Sequence, residues 1–201
     1  MALKYQFNKI AMQNFNKQLK IRRAALPTLK SKEAFLRVTI KKQKEDLQKI
    51  IDSYQKRMDE IETFIRLWAE FPEDIFFMRE VLMSVKKIAG IKAPNLEKID
   101  YDIMEFSNFN NPAWLQSGVN ILKEITILLS QIEITKKRIT VLEYARKKTT
   151  QKVNLYEKVQ IPQYAEAILK IKRYLEDVDN LDKSAQKITK QKQQAMEVSN
   201  G

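Results

Sequence analysis

The sequence predicts a mainly α-helical protein, in which the N- and C-terminal helices form a long antiparallel two-helix coiled coil around a small central insert containing a β-hairpin. Three observations support this fold class. The 201-residue chain has only 3 glycines and 5 prolines, which favours helix. Two long segments carry apolar residues at helical spacing, and the segment between them alternates with a period of two.

The first predicted helix starts within residues 1–9 and runs to about Glu70. Its apolar residues recur at steps of three, four or seven positions, which is the spacing of coiled-coil helices. Because such a narrow stripe is stable only when it is buried, this helix requires a partner helix. The stripe consists of Ile40, Leu47, Ile50, Tyr54, Met58, Ile61, Ile65 and Trp68.

Two prolines bear on the course of this first helix, one inside it and one at its predicted end. Pro27 removes one helical hydrogen bond at a cost of about 3 kcal/mol. The apolar pattern resumes at Leu29 and Leu36, so we predict a kink there and not an end. Phe71-Pro72 is predicted to stop the helix.

The insert, residues 71–112, has a different pattern. Apolar side chains alternate along two short runs, which indicates strands, and turn-forming residues separate the runs. Gly90, Pro94 and Asn95 are the turn formers between the alternating runs, and we predict strands at about Val81–Ile91 and Leu96–Met104. An isolated two-stranded hairpin is marginally stable, so it is expected to pack on the helices or on another protein chain.

The second long helix is predicted from Pro112 to about Gln191, with Asn111 as its N-cap and an interruption at Pro162. If the two long helices pack antiparallel, the residue numbers of two facing positions should add up to about 185. Pro27 would then face a residue near position 158. The expected organisation is one elongated domain with three parts, residues 1–70, 71–112 and 113–201.

The net charge is +12, and the basic residues concentrate near the termini. Residues 1–32 contain no acidic side chain, nor do residues 183–196. The alternatives are a solvated basic surface or a polyanionic partner, which could be nucleic acid, a membrane surface or an acidic protein. The candidate basic end comprises Lys20, Arg22, Arg23, Lys183, Lys187 and Lys190.

The residue types argue against catalysis. The chain has no His and no Cys, and these are the commonest general bases, thiol nucleophiles and metal ligands. The isolated glycines cannot form a phosphate-binding loop. Asp100 and Asp102 stand two residues apart, which is more typical of a solvated strand face than of a metal pair. We therefore expect no catalytic, cofactor or metal site.

Neither a signal peptide nor a membrane span is expected. Residues 1–10 lack the apolar run of a signal peptide. The chain has no run of about 18 apolar residues.

Aromatic residues gather in the sequence around the insert. They indicate either a small core where the hairpin meets the helices or a docking surface, since aromatic residues anchor interfaces. The residues are Trp68, Phe71, Phe76, Phe77, Phe106 and Trp114.

Three segments resemble the D subunit of V-type (A/V-type) rotary ATPases and ATP synthases. Residues 87–97, KIAGIKAPNLE, resemble that family's GVKVP turn, with Gly90, Ile91, Lys92 and Pro94 at the matching positions. Residues 152–162, KVNLYEKVQIP, resemble its RVNALEYVVIP helix and match at Val153, Asn154, Ile161 and Pro162. Residues 26–36, LPTLKSKEAFL, resemble its LLKxKRxxL segment. Pro27, Ala93 and Tyr156 depart from the family pattern.

The resemblance implies a non-catalytic central rotor shaft that couples ATP hydrolysis or synthesis to proton or other ion transport. The implied partners are the catalytic hexamer of A and B subunits, the F subunit and the connector to the membrane rotor ring. The implied location is the cytoplasm, peripheral to the membrane in the soluble sector. No cofactor, no nucleic acid and no direct membrane insertion are implied.

Two other classes of protein remain as alternatives. A BAR-like membrane-surface protein would be basic and helical, but its charge should extend along one face. A nucleic-acid-binding coiled coil would also be basic, but the terminal lysines are not interleaved with stacking aromatic residues.

Overall fold

The computed structural model describes residues 5–63, 65–72, 74–104 and 112–199. It confirms a mainly α-helical protein with two long helical segments and a central antiparallel hairpin. The elements are α1 (Lys9–Thr63), α2 (Ile65–Trp68), β1 (Phe76–Ile88), β2 (Ile91–Ile103), α3 (Leu115–Asn154), a π-helical segment (Leu155–Gln160) and α4 (Ile161–Ser199).

Helix α1 begins within the predicted range and is capped by Asn8. The side-chain oxygen of Asn8 accepts a 2.7 Å hydrogen bond from the backbone N–H of Ala11, which satisfies a free donor of the first turn. Pro27 lies inside α1, so the prediction that it does not end the helix is confirmed. Beyond Thr63, residues 65–68 are also helical in α2 and turn residues follow at 69–70, close to the predicted end at about Glu70.

The chain divides into two units, residues 1–31 with 150–201, and residues 32–149. In the first unit the two ends of the chain run antiparallel. The rings of Phe7 and Tyr174 lie 5.0 Å apart, and those of Phe15 and Tyr164 lie 5.5 Å apart. Residue numbers rise along the N-terminal segment while those of the contacting residues on α4 fall. The two segments are therefore antiparallel, as predicted. Leu19, Val153, Ala167 and Ile171 are buried in this unit.

The π-helical segment lies immediately before Pro162. The N–H of Ile161 bonds to the carbonyl of Tyr156, a step of five residues where an α-helix uses four. Proline has no N–H and its ring opposes the carbonyl four residues earlier, so a wide turn accommodates it. The predicted interruption is therefore present, as a widened turn within a helical segment that continues.

In the second unit α1 and α3 are also antiparallel. Lys44 forms a 2.6 Å ion pair with Glu143, and Arg57 pairs with Glu124. All four side chains are at least one third exposed, so these pairs add little stability. Helix α3 has a buried apolar face in this unit, which includes Ile125, Ile132, Ile139 and Leu142.

The hairpin turn is tighter than predicted. Ala89 and Gly90 have φ angles of +51° and +78°, and Ile88 pairs with Ile91. Two central residues at positive φ are the mark of a type I′ turn, whose twist matches that of the strands. The predicted turn positions of Pro94 and Asn95 were wrong, since both lie within β2. The strands also begin and end at different residues than expected.

Both ends of the hairpin pack on the helices. Near the turn, Ile88, Ala89 and Ile91 contact the cluster of Leu36, Ile40 and Leu142. At the open end, Phe76 and Ile103 contact the cluster of Ile75, Leu115 and Val119. The hairpin therefore lies along the helices of its unit. Helix α3 is buried on a broad face because it contacts both α1 and the hairpin.

Candidate docking surfaces

Three of the six predicted docking aromatics form one cluster. The ring of Trp68 lies 5.5 Å from Phe71 and 5.8 Å from Trp114, and the rings of Phe71 and Trp114 lie 6.1 Å apart. Trp68 and Trp114 meet edge to face, a favourable arrangement for aromatic pairs. All three are half-buried. This cluster joins the end of α2 to the start of α3.

The other three predicted aromatics lie elsewhere. Phe76 packs against Tyr101 at 5.3 Å and joins the cluster of buried residues at the open end of the hairpin. Phe77 is 49% exposed. Phe106 lies outside the described residues. The aromatic set therefore divides between a small core and exposed surface.

A groove of about 400 Å³ opens beside the aromatic cluster. Its apolar lining includes Leu67, Trp68, Trp114 and Ile121, and Arg57 and Glu60 lie among its polar lining residues. We call it the tryptophan groove. A concave, mostly apolar surface with a few polar groups is the usual form of a ligand-binding pocket.

Gly118 allows this close packing. A Cβ atom added there would lie 3.1 Å from Trp114 Cζ3 and 3.3 Å from Phe71 Cε2. A helical glycine normally costs about 1 kcal/mol relative to alanine, and here it makes room for two rings. The sequence showed only that this glycine is isolated from the other glycines and did not indicate its role in packing.

Arg138 is the polar centre of the second unit, and sequence reasoning missed it. Its guanidinium donates 2.9 Å hydrogen bonds to the carbonyl of Pro94 and to the side-chain oxygens of Asn95 and Gln43. Burial lowers the pKa of the Arg138 guanidinium from its ordinary value. A signal was present in the sequence, because Arg138 stands four residues before Leu142 and four after Ile134, within the apolar stripe of α3.

The residues of the predicted family turn occupy different environments. Gly90 is in the tight turn, where its positive φ favours glycine. Ile91 packs on the helices, Lys92 is exposed, and the carbonyl of Pro94 is held by Arg138. This part of the hairpin therefore combines attachment to the helices with an exposed charge.

The residues of the predicted family helix flank the π-helical segment. Val153 is buried and Asn154 is exposed just before it, while Ile161 and Pro162 follow directly after it. The motif residues therefore lie at the two ends of the π-helical segment that connects α3 to α4.

The structure does not bring the six predicted basic residues together. Arg22 is half-buried, donates a 2.5 Å hydrogen bond to Gln160 and lies 4.8 Å from the ring centroid of Tyr164. Lys20 and Arg23 are exposed on α1. Since α4 rises about 1.5 Å per residue, Lys183 lies about 35 Å along the axis from Gln160. Lys187 and Lys190 lie still further along α4, and both are exposed.

Asp100 and Asp102 behave as strand-surface residues. Asp100 forms a 2.6 Å ion pair with Lys98. The hydrogen bond and charge of Asp100 raise the pKa of Lys98. Asp102 is exposed.

Within the described part of the chain, no helix is long and apolar enough to span a bilayer.

Comparison with known proteins identifies the family. The family model for the D subunit of ATP synthase matches residues 11–191, which include α2, both strands, α3 and most of α1 and α4. The chain belongs to the ATP synthase D-subunit family. It is 34% identical over 163 residues to the V-type ATP synthase D subunit of Borreliella burgdorferi, covering 80% of each chain.

Two further members of the D-subunit family show similar coverage. The V-type ATP synthase D subunit of Chlamydia muridarum is 27% identical over 172 residues, covering 83% of this chain and 85% of the relative. That of Chlamydia felis is 28% identical, with 83% of each chain covered. The alignments therefore cover most of both chains.

Proposed function

We propose that this chain is the non-catalytic central rotor shaft of a V-type ATPase or ATP synthase. In this role it couples ATP hydrolysis or synthesis in a catalytic hexamer to ion translocation across the membrane. The observation that carries the proposal is the family match over residues 11–191, which includes the long helices and the hairpin between them.

The helices have the physical properties that a shaft requires. Helix α1 continues for 55 residues, and α3, the π-helical segment and α4 form a continuous helical path from Leu115 to Ser199. Glycines, which weaken helices, number only 3 in the whole chain. A long continuous helix with few glycines supports a role that needs stiffness. ATP chemistry needs no group from such a shaft, because the hexamer supplies it.

The proposed partners are the A/B hexamer, the F subunit and a connector to the membrane rotor ring. Exposed cations on α1 and α4 suit an acidic bearing surface in the hexamer, with Lys20, Arg23 and Lys183 as examples. The tryptophan groove suits the F subunit, because aromatic residues in a partly desolvated pocket are typical anchors of interfaces. The proposed location is the soluble sector, peripheral to the membrane.

A rotation experiment tests this function. The chain has no cysteine, so Asp102→Cys, at an exposed residue of β2, gives a single attachment site for a bead away from the cations proposed to face the hexamer. The complex would be reconstituted from purified A, B and F subunits with this variant, and the hexamer would be fixed to glass. ATP should drive one-way rotation of the bead, and omission of this chain should abolish it.

A matched control separates rotation from nonspecific attachment. A bead on a cysteine of the immobilised B subunit should not rotate. If the chain fails to co-purify with the A, B and F subunits, the proposed function is wrong. Binding of the chain to anionic liposomes or DNA instead would favour the membrane-surface or nucleic-acid-binding alternative.

A further inference from the structure

The hairpin near its turn carries a concentration of unpaired positive charge. Lys86, Lys87 and Lys92 are exposed, and Lys87 stands directly opposite Lys92 in the strand register. Residues 81–96 contain no Asp or Glu. Like charges directly opposite each other destabilise a strand pair. An external anionic group would therefore stabilise this end of the hairpin.

The neighbouring helices do not supply that anionic group. Glu143, next to Leu142 of the cluster that contacts the turn, is paired with Lys44. Among the described residues, none of the three hairpin lysines forms an ion pair with a carboxylate. The charge is therefore available to a partner.

Strand β1 also exposes apolar side chains beside these lysines. Met83 is 56% exposed and Val85 is 66% exposed, and Phe77 and Met78 are about half exposed. Burying them would add hydrophobic free energy to the charge attraction. An exposed run of this kind along one strand is typical of an interaction site.

One edge of β1 has no strand partner in the described chain. The sheet has two strands, and β1 pairs only with β2. Strand β2 is the inner strand, since its Ala93 and Ile99 are buried and its Asn95 bonds to Arg138. An extended peptide can add to a free edge through main-chain hydrogen bonds.

We infer that the free edge of β1 and the lysine triplet Lys86, Lys87 and Lys92 bind an acidic, extended segment of another protein of the complex. Such a segment would pair with the edge, neutralise the lysines and cover the apolar side chains. Lipid headgroups and nucleic acids could neutralise the lysines, but they have no peptide strand that could pair with the free edge of β1. The inference rests on the proposed function only in taking the partner from the V-type ATP synthase complex.

Site-specific cross-linking in the assembled complex tests the inference. Phe77→Cys and Val85→Cys would each be labelled with benzophenone maleimide, cross-linked by light and mapped by mass spectrometry. Both labels should reach one acid-rich segment. The two cross-linked positions should lie about seven residues apart, because an adjacent strand keeps the same rise per residue and Arg79 forms a bulge between them.

A charge variant with a matched control tests the role of the lysines. Replacing Lys86, Lys87 and Lys92 by Gln should lower the cross-link yield about tenfold at low salt, since clustered charge raises association. The control replaces Lys49, Lys56 and Lys136, exposed on the helices of the same unit, by Gln and should leave the yield unchanged.

Several results would overturn the inference. They are cross-links to an acid-poor segment, to scattered sites or only to lipid or nucleic acid, and equal yields for the two triple variants. Any of these in a complex that still rotates would leave the proposed function intact. Failure of the chain to assemble with the A, B and F subunits would overturn both.

Discussion

Arg138 on α3 donates a 2.9 Å hydrogen bond from Nη2 to the side-chain oxygen of Asn95 on β2. The same guanidinium bonds to Pro94 on β2 and to Gln43 on α1. One side chain therefore connects three elements of the unit. A charge that is held by hydrogen bonds at partial burial is costly to leave unpaired.

Replacing Arg138 by Ala should destabilise the protein by about 2 kcal/mol, because three acceptors lose their donor. Asn95→Ala should cost about 1 kcal/mol, since it removes one of those bonds. Urea unfolding followed by circular dichroism measures both changes. The control is Lys137→Ala at the exposed neighbour, which should have little effect. Equal stability of the Arg138 and Lys137 variants would show that the three bonds contribute nothing net.

Ala89 should be replaceable by Asn without loss of stability. A non-glycine residue at positive φ is strained by about 1–2 kcal/mol, and Asn tolerates this region better than Ala. Loss of the Ala89 methyl contact with the Leu36 cluster offsets part of the gain. Ala89→Val should instead destabilise by at least about 1 kcal/mol, because a β-branched side chain is disfavoured there. Urea unfolding should rank Asn at or above the parent and Val below it, and the reverse order would contradict the turn assignment.

Gly118→Ala should loosen the aromatic cluster. Alanine favours helix by about 1 kcal/mol, but its methyl group would press against Trp114 and Phe71. We expect a net destabilisation of about 1 kcal/mol and a changed near-ultraviolet circular dichroism signal from tryptophan. Ser117→Ala, at the exposed neighbour, should keep the parental spectrum. A more stable Gly118→Ala variant with that spectrum would mean that the rings have room to move.

Arg22 should differ from the other predicted basic residues in its effect on stability. Its contacts with Gln160 and with the Tyr156 and Tyr164 rings should be worth about 1 kcal/mol. Arg22→Gln should therefore lower the melting temperature by a few degrees. Arg23→Gln, at an exposed residue, is the matched control and should not. Equal melting temperatures would argue against these contacts.

The five exposed cations should act on assembly instead of stability. Replacing Lys20, Arg23, Lys183, Lys187 and Lys190 by Gln should leave the melting temperature nearly unchanged, because exposed charges contribute little. It should slow association with the A/B hexamer and flatten the salt dependence, since charge acts on the on-rate and is screened over about 8 Å. Surface capture of the hexamer measures the rate. If the association rates of parent and variant depended equally on salt, these residues would be a solvated surface without a role in assembly.

Stability should be nearly constant between about pH 6 and pH 8.5. The chain has no His and no Cys, whose ordinary pKa values lie in or near this range. Below about pH 5, carboxylates become protonated and stability should fall. The hydrogen bond and charge of Lys170 lower the pKa of Glu166. The ion pair therefore stabilises the fold at pH values above the ordinary pKa of a glutamate. That stabilisation is lost as the pH falls through the lowered pKa of Glu166. Urea unfolding across pH checks this, and Glu166→Gln should reduce the acid-side loss slightly.

The long-range features of the fold could be predicted because they depend on repeated patterns. The heptad stripe from Ile40 to Trp68 predicted a helix that needs a partner, and the pairs Lys30–Glu157 and Lys44–Glu143 agree with the predicted residue total of about 185. Such patterns average over many residues, so single exceptions such as Pro27 do not hide them.

Local features depended on contacts that the sequence does not display. Pro94 and Asn95 are turn formers by type, but Arg138, more than 40 residues away in sequence, holds them within a strand. Likewise, the type I′ turn contains Ala89, which propensity disfavours at positive φ, because its methyl group packs on the Leu36 cluster. The docking aromatics were found by clustering in sequence, but only the structure separates Trp68, Phe71 and Trp114 from the core residue Phe76.

The attachment of the hairpin at both ends has a mechanical consequence. The Leu36 cluster holds it near the turn, the Leu115 cluster holds it near the open end, and Arg138 holds it between them. A sideways push on β1 is therefore passed to α3 instead of swinging the hairpin as a flap. A load applied at either end of the hairpin is therefore carried by the helices of its unit.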